Sequence, residues 1–217
     1  MILRRPEDAF CLYVLAHGAG AGMRHPFLDA LADALANERV ATLRYEFPYM
    51  EQGKRRIDPA PALHARVREA VEAAAKERLP LFAGGKSMGG RMTSEAQALQ
   101  RLPEVRGLAF VGFPLHPAGK PGTIRAEHLR DVRVPMLFLQ GTRDDLADLA
   151  LLRPILEDLR DAELHVVEGA DHSFHVPKRS GRTDAEVIAE LARTFAQWAQ
   201  RTIGDSSSRD TRSAGSR

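Results

Sequence analysis

The chain has 217 residues, a formal net charge of +2, 44% apolar and 28% charged content, and a single cysteine. That length suits one domain, able to bury roughly 70% of its unfolded surface without staples. The charge is too small to imply nucleic acid, the lone Cys11 excludes an internal disulfide or a multi-cysteine zinc site, and no apolar run is long enough to span a bilayer. Met1 to Asp8 lack the long apolar region of a signal peptide, so the cytoplasm is the expected address.

Cys11 to Ala16 is a continuous apolar run, the pattern of a strand buried on both faces of a parallel sheet. It ends in the glycine-rich loop His17-Gly18-Ala19-Gly20-Ala21-Gly22. Pro26 then opens a helix with Phe27, Leu28, Leu31 and Leu35 at helical spacing. Val40 to Tyr45 reads as the next strand and Glu46 to Met50 as a loop. A long helix is predicted from Pro61 to Arg78, with Leu63, Val67, Val71 and Ala74 as its buried stripe. Leu79 to Ala83 is a short strand, and the helix after Ser87 uses Met92, Ala96 and Leu99. Further strands are predicted over Gly107 to Phe113, Val134 to Gly141 and Leu164 to Val167. Pro114 to Arg133 reads as irregular, too rich in Gly and Pro to build a helical cap. Leu149 to Leu159 and Val187 to Trp198 carry the last two amphipathic patterns. Residues 204–217 hold almost nothing apolar and read as a disordered polar tail behind a domain over 1–203. Alternating strands and helices predict a parallel sheet of about six to seven strands covered on both faces. In such sheets ligands bind beyond the carboxyl ends of the strands.

Gly85-Lys86-Ser87-Met88-Gly89 fits G-x-S-x-G, the turn that exposes a nucleophilic serine between a strand and a helix. An apolar strand precedes it and a helix follows, as the turn requires. A phosphate-binding loop is the competing reading of Gly85-Lys86-Ser87, but Pro80 stands where that loop needs glycine. The first glycine-rich loop likewise misses G-x-G-x-x-G, because Met23 follows Gly18 and Gly20 at the third position. Serine is a weak nucleophile until a base, usually histidine oriented by a carboxylate, takes its proton. In this architecture the order is serine, acid, histidine. Asp144 after the strand ending at Gly141 is the candidate acid, with Asp145 and Asp148 read as helix N-terminal residues. After the last strand His172 is preferred as base over His175, and His165 within the strand is read as structural. The oxyanion donors are expected at the N–H of Met88 and of Ala19, with Gly20 beside it. No metal and no cofactor are expected.

These segments, with Phe47-Pro48-Tyr49-Met50-Glu51 and Gly112-Phe113-Pro114-Leu115-His116-Pro117, make the chain resemble the α/β-hydrolase superfamily. It looks closest to small bacterial members of the KANL3/Tex30-like branch, loosely related to dienelactone hydrolases. The resemblance spans nearly all of the chain before the tail. It implies an α/β-hydrolase fold without a cap domain, Ser87 as nucleophile, Asp144 as acid and His172 as base. It further implies that Phe47-Pro48-Tyr49 and Pro114-Leu115-His116 line the mouth of the site, making Tyr49 and His116 candidate substrate contacts. Dienelactone hydrolases proper use cysteine where this chain has Ser87, so their substrate does not carry over. The expected activity is hydrolysis of a small ester or thioester through an acyl-enzyme. The competing reading is a binding or scaffold module that kept the fold without turnover.

Overall fold

In the computed structural model the backbone is described for residues 1–214 and side chains through Asp205. Seven strands form one sheet in the order β1-β3-β2-β4-β5-β6-β7. They are β1 (Ile2–Arg4), β2 (Cys11–Ala16), β3 (Val40–Tyr45), β4 (Leu81–Lys86), β5 (Val105–Val111), β6 (Met136–Gly141) and β7 (Ala162–Val167). The short β1 runs antiparallel to β3, and every other pairing is parallel.

Among the described residues six α-helices accompany the sheet: α1 (Pro26–Asn37), α2 (Pro48–Glu51), α3 (Ala60–Ala75), α4 (Met88–Leu99), α5 (Leu149–Glu157) and α6 (Asp184–Ala214). Successive strand side chains point to opposite faces, so each apolar strand serves two cores. In β2, Cys11, Tyr13 and Leu15 join Leu31 of α1 and Phe195 and Trp198 of α6 on one face. Leu12, Val14 and Ala16 join Val67 of α3, Met92 of α4 and Leu152 of α5 on the other. This is an α/β-hydrolase fold with helices on both faces and no cap domain.

Local differences from the sequence reading have simple causes. The segment after Phe47 is a helical turn rather than a loop, because Pro48 pre-sets the first helical position and Tyr49 is buried. Within 114–133 a 3₁₀ helix covers Ile124–Asp131, burying Ala126 and Leu129 against α4. α3 stops at Ala75, short of the predicted Arg78, and Arg78 itself takes a left-handed backbone with φ 57° that no helix continues. Of the tail expected to be disordered, the backbone of 204–214 continues α6, and 215–217 lie outside the described residues.

Candidate active site

The turn at Ser87 is built by close approach. Ser87 has φ 50° and ψ −120°, a conformation side-chain-bearing residues rarely adopt. Two glycines permit it: a Cβ at Gly85 would lie 2.4 Å from the carbonyl oxygen of Ala16, and one at Gly89 would lie 2.4 Å from that of His17. β4 therefore packs flush against β2, and α4 starts directly behind the serine. The first N–H groups of a helix lack intrahelical partners, so the Met88 N–H at the start of α4 is free to face an anion.

Ser87, His172 and Asp144 come together although they leave three different strands. The Ser87 hydroxyl lies 2.8 Å from Nε2 of His172. Nδ1–H of His172 donates to Oδ2 of Asp144, also at 2.8 Å. Asp144 is buried, and its second oxygen accepts the N–H of Leu146 at 2.8 Å. Gln140 completes this shell. It is fully buried in β6, where its Nε2 donates to Asp144 Oδ2 and its Oε1 accepts the N–H of Phe113 at 2.9 Å.

The rival residues lie elsewhere. His175 is exposed, with Nδ1 2.8 Å from Oδ2 of Asp184. Asp148 caps α5 by accepting the Ala150 N–H, and Asp145 is exposed. His165 binds Glu190 at 2.6 Å, away from the serine.

Ala19 is exposed beside Ser87 on the rim of the cleft, while Gly20 next to it donates its N–H to the hydroxyl of Tyr49 at 3.0 Å. Gly20 and Tyr49 thus satisfy each other, and neither lines the cleft beside Ser87. Tyr49 is buried behind the loop rather than lining the mouth. His116 departs from expectation in the same way. Its Nδ1–H donates to the carbonyl of Pro117 at 3.0 Å, and its Nε2 accepts the N–H of Asp148 at 3.0 Å. With both nitrogens committed and the residue buried, His116 ties the loop after β5 to the loop carrying Asp144. Phe47 and Leu115 are also buried, so neither expected mouth segment lines the cleft.

The cleft beside Ser87 has a volume of about 330 Å³, and its apolar wall is Ala21, Phe27, Leu28 and Leu146. His25, Lys86 and Ser173 add polarity. A larger hollow of about 860 Å³ near Arg78 and Arg101 opens at the amino ends of the strands, where none of these groups stands.

Besides Gln140, two contributors were not read from sequence. His17, fully buried, donates Nδ1–H to the Gly18 carbonyl at 2.7 Å and accepts the Phe47 N–H on Nε2 at 3.1 Å. Burial lowers its pKa and so favours the neutral ring that this pair of bonds requires. Lys86 donates from Nζ to the carbonyl oxygen of His172 at 2.7 Å. A polar residue closing an otherwise apolar buried strand was the available signal for both, and for Gln140.

The described residues hold no group of three or more His, Cys, Asp or Glu arranged to bind a metal ion. No helix among them is long and apolar enough to cross a membrane.

A family model described as an alpha/beta hydrolase domain matches residues 10–200, and the chain belongs to that family. Solved structures share the fold at low identity. Est1E from Butyrivibrio proteoclasticus, with ferulic acid bound, has a TM-score of 0.72 at 16% identity, covering 92% of this chain and 94% of that one. A dienelactone hydrolase from Anabaena variabilis has a TM-score of 0.70 at 22% identity, covering 92% and 89%. A serine hydrolase without a lid from Xanthomonas campestris has a TM-score of 0.68 at 21% identity, covering 90% and 87%.

Proposed function

We propose that the protein is a serine hydrolase that cleaves a small ester or thioester through an acyl-enzyme, with Ser87, His172 and Asp144 as its catalytic triad. The observation that carries this reading is the unbroken chain from Ser87 through His172 to Asp144, with both links at 2.8 Å. Nucleophile, base and orienting carboxylate are each within hydrogen-bond reach of the next.

The steps follow from that chain. Ser87 Oγ attacks the carbonyl carbon while its proton passes to Nε2 of His172. The imidazolium is stabilised by Asp144. The negative oxygen of the tetrahedral intermediate faces the N–H groups of Met88 and Ala19, and losing one such donor typically costs on the order of 10²–10³ in turnover. Collapse breaks the bond to the alcohol or thiol, which leaves with the proton from His172. Water then attacks the acyl-Ser87 ester, giving its proton to His172, and the acid departs as the serine is restored.

The cleft of about 330 Å³ with an apolar wall suits a small uncharged acyl or alcohol group. Membership of the KANL3/Tex30-like branch remains part of this proposal, resting on the Gly84-Gly85-Lys86-Ser87-Met88-Gly89-Gly90 segment and its companions. The test is covalent labelling with a fluorophosphonate probe. Wild type is expected to be labelled at Ser87 and Ser87→Ala not at all. An unlabelled wild type would favour the scaffold reading.

A further inference from the structure

We propose that Lys86 is a positioning residue: its side chain, anchored one residue before the nucleophile, holds the backbone of His172 and thereby sets the distance between base and serine. The inference rests on the reading of Ser87 and His172 as nucleophile and base. Lys86 Nζ donates to the carbonyl oxygen of His172 at 2.7 Å. It also lies 5.6 Å from the centroid of the Phe174 ring, two residues further along the same loop. One ammonium therefore grips the base-bearing loop at two points. The grip and the nucleophile come from adjacent residues at the end of β4, so one rigid element carries both.

The surroundings leave space for that ammonium. Gly112, at the end of β5, has φ 71°. A Cβ there would lie 3.1 Å from Lys86 Nζ and 3.5 Å from the His172 ring. Any larger residue at 112 crowds both the tether and the imidazole. The charged groups facing Lys86 are Asp144 from the loop after β6 and Asp171 from the loop after β7. Their attraction opposes the burial that lowers the Lys86 pKa from 10.5 to about 8. A cation so placed offsets two carboxylates near the imidazole, and its hydrogen bond to a carbonyl is the stronger for being charged. Deprotonation leaves a neutral amine that still donates, but more weakly.

The test compares wild type, Lys86→Met and Lys86→Arg, each also in the Ser87→Ala background. Three readouts are taken: the rate of fluorophosphonate labelling between pH 6 and 10, steady-state kinetics on p-nitrophenyl acetate, and the imidazole Nδ1–H resonance of His172 in 15N-histidine-labelled protein. Lys86→Met is expected to slow labelling on the order of 10–100-fold, the scale of a misplacement near 1 Å. It is also expected to abolish any decline of the wild-type rate above pH 8, and to broaden or shift the Nδ1–H resonance. With p-nitrophenyl acetate the loss is expected in kcat, with KM nearly unchanged. Lys86→Arg restores part of the rate if a charged donor is what matters. An unchanged Nδ1–H resonance in Lys86→Met overturns the proposal, whatever happens to labelling. Because that readout needs no turnover, it is distinct from failure of Ser87 to label at all in wild type, which overturns the hydrolase reading instead. Should Lys86→Met not fold, 15N-lysine spectra of wild type decide. Slowly exchanging Nζ protons on Lys86 support the tether, and a freely exchanging ammonium overturns it.

Discussion

The hydroxyl of Tyr49 accepts the N–H of Gly20 at 3.0 Å, joining the one-turn helix α2 to the loop that follows β2. Through this bond a side chain with no access to the cleft fixes the backbone on which Ala19 sits.

Tyr49→Phe removes the acceptor and leaves the ring. The expected cost in stability is about 1 kcal/mol, the net worth of one neutral hydrogen bond. Labelling of Ser87 is expected to slow several-fold, because the Ala19 N–H loses its aim. Urea unfolding and probe kinetics measured on the same preparation separate the two effects.

Asp144→Asn keeps the shape of the acid but donates where it formerly accepted. The amide favours the wrong tautomer of His172, and turnover is expected to fall about 10,000-fold with KM little changed. Steady-state kinetics on an activated ester checks this, with circular dichroism to show that the fold persists.

Gln140→Leu deletes two bonds at once, leaving the Phe113 N–H without its partner in a dry place, while Oδ2 of Asp144 keeps the bond from His172. The expected destabilisation is about 1–3 kcal/mol, the cost of one stranded N–H. A midpoint in urea equal to that of wild type would contradict this account of the buried amide.

Gly89→Ala places a methyl 2.4 Å from the backbone oxygen of His17, just after β2. Overpacking of this kind costs about 1–3 kcal/mol, and relief by shifting α4 would move Ser87 with it. Thermal melting together with probe labelling is expected to show both losses.

His17 gives the chain an acid limit. Its pKa is lowered by burial, so below its ordinary value of 6.5 the unfolded state binds a proton that the folded state resists. Stability attributable to this ring is therefore full above pH 6.5 and declines as the pH falls through that value. Urea midpoints between pH 5 and 8 are expected to fall more steeply on the acid side in wild type than in His17→Gln.

Much of the architecture was legible because it is written in continuous apolar runs and helical apolar patterns, which do not depend on distant partners. The convergence of Ser87, Asp144 and His172 was legible for a related reason: each follows its own strand, and strand ends of a parallel sheet share one rim. Tyr49 and His116 were misread because their roles depend on which way a loop turns. Pro48 turned one loop into α2, and the Asp148 N–H captured the other ring. Lys86 sits inside the G-x-S-x-G motif, but nothing local says that its stem reaches the loop after β7. The 3₁₀ helix within 114–133 was hidden by the glycines and prolines that precede it.

The bare rim above Ser87 has a kinetic consequence. With no cap to swing, the proposed turnover need not wait on a slow conformational clock, and bulk solvent would reach an acylated Ser87 as readily as any second alcohol. Water, in vast excess over a dilute acceptor, then disposes the proposed acyl-enzyme to be hydrolysed rather than passed on.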